Sequence, residues 1–184
     1  MRKPIFLVGY MAAGKTTLGK YAARRLGREF IDLDRYIEAR FMRSVSELFA
    51  ELGEEKFREI ERNMLHEVGE FDNVLVAAGG GTPCFFDNME YMKRCGIVVY
   101  LTCSVDVICR RLIAAKNKRP LVDGVRAEDL PDVVGRMLTL REPVYIQAHH
   151  TFVADEYESV EALAQATDLL SRLSGDPYLK DMIR

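Results

Sequence analysis

An α/β fold, built on a parallel sheet covered on both faces, is what these 184 residues predict. Three observations carry the prediction. Short apolar runs alternate along the chain with amphipathic stretches of helical period, as expected where helices cover a sheet from both sides. Glycines at 27, 53, 96 and 175 fall at the joints between those stretches. The octet Gly9-Tyr-Met-Ala-Ala-Gly-Lys-Thr16 sits where the first apolar run stops and the first helical pattern begins.

Taken in order, Pro4–Val8 reads as the first strand. Gly14 to Leu26 reads as a helix, with Leu18, Ala22 and Leu26 four apart on one face, and Gly27 ends it. Glu29 to Leu33 is a second short strand, and Asp34 begins the next turn or helix. Ser44-x-x-Glu47 has the form of a capping box opening a long helical region that Gly53 divides in two. In the second part Phe57, Ile60, Met64 and Val68 form the apolar stripe, with Arg58 and Glu61 beside it. Val74–Ala77 is a buried strand running into Gly79-Gly80-Gly81. Asp87-x-x-Glu90 starts another helix, Ile97–Leu101 is a fourth strand, and Val105, Ile108 and Leu112 mark a further helix.

From Ala115 to about Arg126 the pattern breaks into a polar, basic segment with Gly and Pro, which predicts an exposed mobile stretch. A helix follows over Pro131–Arg141, disturbed by Pro143. Thr151–Ala154 is the fifth strand. Ser159 caps a last helix whose face is Val160, Leu163, Thr167 and Leu170, and Gly175 terminates it. No repeat or linker divides the chain, so a single domain over residues 1–184 is expected.

The formal net charge is −2, and no run of five basic residues occurs, so a nucleic-acid partner is not expected. No apolar stretch reaches the roughly 18 residues that cross a bilayer, so no membrane association is expected either. Met1-Arg-Lys-Pro4 leads straight into the first strand, leaving no room for a signal peptide. The cysteines at 84, 95, 103 and 109 form no C-x2-C pair, and His66, His149 and His150 fit no metal-site spacing. Reduced, partly buried thiols in a cytoplasmic protein are the expectation.

The octet carries the chemistry. G-x4-G-K-T is a phosphate-binding P-loop: its glycines let successive N–H groups turn inward, and the following helix aims its N-terminus at the same anion. Lys15 would reach the β- and γ-phosphates, and the Thr16 hydroxyl would ligate Mg²⁺. A guanine-reading N-K-x-D is missing, since Pro120 follows Asn117-Lys118-Arg119. The strand before Gly79 ends in glycines rather than an ATPase-type Asp. Asp32 and Asp34 are then the obvious acids, at a strand end where α/β proteins gather ligands.

GYMAAGKT, FIDLD at 30–34, FREIE at 57–61, AAGGG at 77–81, RPL at 119–121 and REPVY at 141–145, in this order, resemble the shikimate kinase family. The resemblance implies a nucleoside-monophosphate-kinase-like fold with a five-stranded parallel sheet in the order 2-3-1-4-5. It also implies a substrate-binding region over about 33–61 and a closing lid over about 116–126. The activity implied is ATP- and Mg²⁺-dependent phosphorylation of the 3-hydroxyl of shikimate, on the way to chorismate and the aromatic amino acids, by a monomer. It assigns ATP to Gly9, Ala12, Ala13, Gly14, Lys15, Thr16 and Thr17, with Arg110 stacking on adenine and Arg111 leaving the register open. It assigns the metal to Thr16 and Asp32, catalysis to Lys15, Asp34 and the lid residue Arg119, and shikimate to Asp34, Arg58, Gly79, Gly80, Gly81 and Arg141.

The substrate's chemistry fits those residue types. A small carboxylate with three hydroxyls calls for guanidinium forks and for oxygen acceptors. Arg58 can also be read as a solvated helix charge paired with Glu61 at i,i+3. A gluconate or nucleotide kinase on the same scaffold, and a non-enzymatic nucleotide-binding module, are the rival readings. Intact Lys15, Asp34 and Arg119 speak against the module, and a lone acceptor-region Arg58 against a nucleotide acceptor.

Overall fold

The computed structural model describes residues 2–115 and 125–176. The expected lid, Arg119 included, therefore lies outside the described residues apart from Val125 and Arg126. Strands β1 (Ile5–Val8), β2 (Glu29–Asp32), β3 (Val74–Ala77), β4 (Ile97–Thr102) and β5 (His150–Val153) form a parallel sheet in the order β2-β3-β1-β4-β5. The register sets Ile5 against both Leu75 and Ile97, Glu29 against Val74, and Val99 against His150. The central strand β1 has no exposed residue, which is why it reads as an unbroken apolar run. Because all strands point one way, their carboxyl ends share one edge of the sheet, and the site is built there.

The helices are α1 (Lys15–Leu26), α2 (Leu33–Phe41), α3 (Val45–Gly69), α4 (Asn88–Cys95), α5 (Val105–Ala114), α6 (Leu130–Tyr145) and α7 (Val160–Ser174). α1 packs with α7, α2 and α4 pack against α3, and α5 packs on α6. Gly27 and Gly175 close α1 and α7 in the left-handed conformation, at φ 62° and 68°. The Ser44–Glu47 capping box is formed in both directions, and Gly53, at φ 77° and ψ 169°, breaks α3 into two helical pieces.

Four local expectations change. β2 stops one residue short of Leu33 because the Asp32 carboxylate accepts the Arg35 N–H and caps α2. α6 runs through Pro143 to Tyr145: a proline forfeits one hydrogen bond, and the ladder resumes with Ile146 N–H donating to Glu142 O at 3.0 Å. On α7 Val160 is exposed, and the buried face is Leu163, Ala166, Thr167, Leu170 and Ser171. In α3 the buried stripe includes Arg58 and Glu61, while Ile60 and Met64 are only half-buried. Those two charges satisfy each other, which lets them sit inside.

Past α7 the chain is tied back to the sheet. The buried Asp176 carboxylate accepts from Arg28 Nε at 2.5 Å, and Arg28 also donates to the carbonyls of Lys3 and Val74. The four cysteines are free thiols; Cys103 and Cys109 are buried.

Candidate active site

Between β1 and α1 the chain turns through three positive-φ residues, Gly9 (137°), Ala12 (61°) and Gly14 (98°), forming a concave backbone nest ahead of a helix N-terminus. A Cβ on Gly9 would stand 2.5 Å from Leu101 O, so the loop lies against β4 as only glycine allows. Ala13 is buried, and its N–H turns inward to Tyr10 O at 3.3 Å. Lys15 does not hang free in the loop: its Nζ donates to Gly9 O and Tyr10 O, both at 2.8 Å, bracing the nest. Thr17 is exposed on the first turn of α1.

The Thr16 hydroxyl donates to Asp32 Oδ2 at 2.9 Å, joining the P-loop to the end of β2. A hydroxyl beside a carboxylate is a hard-oxygen pair of the kind Mg²⁺ takes, completing its shell with water and phosphate oxygens. Among the described residues no group of three or more His, Cys, Asp or Glu side chains could hold a metal. The donor set therefore fits a metal shared with a nucleotide rather than an all-protein cage.

The Gly79–Gly81 strap, at the end of β3, is where the other expected residues meet. A Cβ on Gly79 would stand 2.8 Å from Thr82 Oγ1, 2.9 Å from Asp34 Oδ1 and 3.0 Å from Glu61 Oε1. A Cβ on Gly80 would face Met11 N at 3.3 Å and Arg141 Nη1 at 3.6 Å, and one on Gly81 would stand 2.9 Å from Arg58 Nη2. None of the three has positive φ. The glycines are there for close approach, and the protein's own site side chains fill the space.

Arg58 is buried, with its guanidinium over the Phe85 ring at 4.1 Å. Nη1 donates to Glu61 Oε2 at 2.8 Å, while Nη2 and Nε reach Glu54 Oε1 at 3.1 and 3.4 Å. Glu61, 1 % exposed, also accepts from the Thr82 hydroxyl at 2.5 Å. Glu61 was absent from the expected site although it belongs to FREIE; its i+3 spacing from Arg58 was the available signal.

Arg141 lies over the Tyr10 ring at 5.8 Å, and its buried Nη1 has no hydrogen-bond partner among the described residues. One turn on, the buried Tyr145 hydroxyl donates to Gly80 O at 2.5 Å, so α6 holds the strap from the far side. Burial pushes the Tyr145 hydroxyl's pKa up, against the lowering effect of Arg141, and keeps it a donor. Burial likewise raises the Cys84 thiol, whose charged neighbours are Arg141, Arg58 and Glu61.

At the nucleotide end the adjacent arginines divide. Arg110 is exposed, 3.9 Å from Glu158. Arg111 turns inward: Nη1 donates to the P-loop carbonyl of Ala12 at 3.2 Å, Nη2 to Ala154 O at 2.9 Å, and Nε to Glu158 at 2.6 Å. The hydrogen bond to Glu158 holds Arg111 charged by raising its pKa. The available signal was the apolar face Val105, Ile108 and Leu112: Arg111 falls three residues after Ile108, beside that face, and Arg110 nearly opposite it.

Comparison with known proteins places the chain in a family. The shikimate kinase family model matches residues 11–172. The chain belongs to the shikimate kinase family. The shikimate kinase of Bacteroides thetaiotaomicron is 53% identical over 169 residues, covering 92% of this chain and 97% of that one. That of Phocaeicola vulgatus is 52% identical, covering 91% and 96%. Among solved structures, the Bacteroides thetaiotaomicron shikimate kinase superposes with a TM-score of 0.89 at 52% identity, covering 93% of this chain and 97% of that one. The Acinetobacter baumannii shikimate kinase in complex with shikimate gives 0.81 at 34% identity, covering 99% and 96%. As a shikimate kinase family member the chain has the sheet order that the motifs implied.

Proposed function

We propose that this chain transfers the γ-phosphoryl group of ATP to the 3-hydroxyl of shikimate, giving ADP and shikimate 3-phosphate for the route to chorismate. The observation that carries the reading is the convergence at Gly79–Gly81, where the carboxylates of Asp34 and Glu61, two guanidinium groups and the P-loop adjoin a single strap. A small hydroxy-acid beside a triphosphate needs that set: forks for its carboxylate, an acceptor for its hydroxyl, and a phosphate cradle alongside.

In this reading Arg58 and Arg141 bind the substrate carboxylate and the strap's N–H groups line the pocket. Asp34 holds the reacting hydroxyl and takes its proton as that oxygen bonds to the γ-phosphorus; the bond to the bridging oxygen breaks and ADP leaves. Gly9, Ala12, Ala13, Gly14 and Thr17 line the phosphates. Lys15 exchanges the Gly9 and Tyr10 carbonyls for β- and γ-phosphate oxygens. Thr16 and Asp32 hold Mg²⁺, which offsets phosphate charge when bound. Arg119 stabilises the transferring group from a lid over about 116–126, and Arg110 adjoins adenine. The ends of α5 and α6 flank that segment in sequence, and α5 reaches the P-loop through Arg111.

The reading extends to a single-domain cytoplasmic monomer acting on small molecules, without a nucleic-acid or membrane partner. The net charge of −2 and the free thiols support it. So does the lack, among the described residues, of a helix long and apolar enough to cross a membrane. ADP release measured with shikimate, gluconate, AMP or no added acceptor tests the reaction. Turnover that requires both shikimate and Mg²⁺ is expected, and equal release without shikimate overturns it.

A further inference from the structure

We propose that Glu54 is a placeholder carboxylate: in the free protein it occupies the edge of Arg58 that the substrate carboxylate takes, and it leaves when the substrate arrives. This rests on the reading of Arg58 as a carboxylate-binding residue and names what that residue must release first.

A guanidinium presents two forked edges and one single donor set, and a carboxylate pairs best with a fork. On Arg58 the partners are divided unequally. Glu61 takes Nη1 at 2.8 Å, whereas Glu54 Oε1 spans Nε at 3.4 Å and Nη2 at 3.1 Å. Glu54 thus covers the Nε–Nη2 fork.

The two acids differ in freedom to move. The Glu61 side chain is 2% exposed and also holds Thr82, so it stays. The Glu54 side chain is 60% exposed and, among the described residues, bonds to Arg58 alone. It follows Gly53, the break in α3, where an added Cβ would meet nothing within 4 Å. Arg58 itself is buried, with its guanidinium over the Phe85 ring and its Nη1 held by Glu61, so it stays in place. Exchange at a fixed guanidinium is left, with Glu54 as the group that leaves.

The consequence is discrimination by charge. A ligand with a carboxylate replaces one anionic partner of Arg58 by another at little net loss. A neutral polyol of the same shape displaces Glu54 without replacing its charge and leaves the fork poorly paired. Glu54 therefore selects hydroxy-acids over neutral cyclic alcohols while weakening shikimate binding modestly.

Calorimetry with shikimate and, separately, ATP tests this on the full chain and on Glu54→Gln, Glu55→Gln and Arg58→Ala. Exposed ion pairs are weak, so E54Q is expected to tighten shikimate binding about twofold to fivefold and leave ATP affinity unchanged. E55Q, which removes a neighbouring exposed charge, is expected to change neither. A merely structural Glu54 would lower affinity on substitution, so the sign of the change is diagnostic. E54Q binding shikimate equally or more weakly overturns the proposal, and so does an equal gain from E55Q, which would mean a general field effect. Combining E54Q with R58A must abolish the gain. Where R58A does not fold, Arg58→Lys serves, since it keeps the charge near Glu61 but has no fork. If R58A leaves shikimate affinity intact while E54Q still tightens it, the carboxylate reading of Arg58 fails and the placeholder with it.

Discussion

Replacing the strap glycines one at a time should separate turnover from substrate binding. In Gly79→Ala the new methyl carbon starts 2.9 Å from Asp34 Oδ1, 2.8 Å from Thr82 Oγ1 and 3.0 Å from Glu61 Oε1. Restoring ordinary contact near 3.4 Å requires a shift of about 0.5 Å, the margin within which a catalytic group must be held. Thr82 and Glu61 are buried and bonded to each other, and the half-buried Asp34 carboxylate is crowded together with them. Overpacking of this kind costs about 1–3 kcal/mol. If that cost falls on the reacting geometry, kcat drops about fivefold to a hundredfold. In Gly81→Ala the crowded atoms are Arg58 Nη2, Nη1 and Cζ at 2.9, 3.0 and 3.1 Å. The same range should then appear in KM for shikimate, with kcat at saturation within about threefold of wild type. Coupled ADP-release assays over a range of shikimate, at saturating ATP, measure both quantities. Matching kcat losses in the two variants, or a Gly79→Ala enzyme with unchanged kcat, would refute the division of the strap between Asp34 and Arg58.

Lys15→Ala should lower kcat by several orders of magnitude; because Nζ also braces two P-loop carbonyls, Tm should fall by a few degrees as well, and near-normal turnover would rule out its phosphate role. Asp34→Asn should reduce kcat far more than ATP affinity, and a kcat within about threefold of wild type excludes it as proton acceptor. Arg58→Ala and Arg141→Ala should both weaken shikimate and spare ATP in calorimetry, but their melting points should diverge. The first strands Glu61 as a buried unpaired charge, costing about 3–5 kcal/mol, whereas the second removes an Nη1 donor that has no partner among the described residues. Stability should also step down on acidification. His66 and His149 both have pKa values lowered first by burial, so their contribution is complete above 6.5 and is lost as pH falls through the folded values. His149 Nδ1 accepts the Val98 N–H at 3.0 Å, a bond the imidazolium cannot make. Melting curves from pH 8 to 5 check this, and a His66→Phe, His149→Gln double variant should flatten the step.

The strands and the phosphate loop were legible because their signals are local. Val74–Ala77 and the run around Ile5–Val8 are apolar on both faces, and the P-loop is contiguous. The Ser44–Glu47 cap and the Gly27 and Gly175 stops need only neighbours in sequence, and all three are formed. What was not legible depends on contacts far apart along the chain. An apolar-stripe count on α3 favours Ile60 and Met64, yet Arg58 and Glu61 are inside because Thr82, 21 residues beyond Glu61, supplies the third member of their network. Asp176 looks like a tail residue until Arg28, 148 residues earlier, is seen to hold it. Pro143 signals a helix end locally, but the packing of Tyr145 under Gly80 keeps α6 going for two more residues.

Arg58 and Arg141 share a sequence-derived role but reach it from opposite starting states. All three guanidinium nitrogens of Arg58 already donate to Glu54 or Glu61, so in the proposed reading a substrate carboxylate exchanges with Glu54 and gains little. Arg141 holds a buried Nη1 with no acceptor among the described residues, so its desolvation cost is already met in the folded protein. In the proposed reading an incoming carboxylate oxygen would make a charge-assisted bond there with no competing partner among the described residues, contributing about 1.5–3 kcal/mol. Arg141 should therefore supply most of the affinity, while Arg58, fixed by Glu61 and contested by Glu54, supplies the demand for an anion. Tyr145 ties the two together. It lies one turn from Arg141 and holds the carbonyl of Gly80, beside Gly81, whose missing Cβ leaves the space Arg58 fills, so the donor with spare capacity and the donor under competition adjoin one strap.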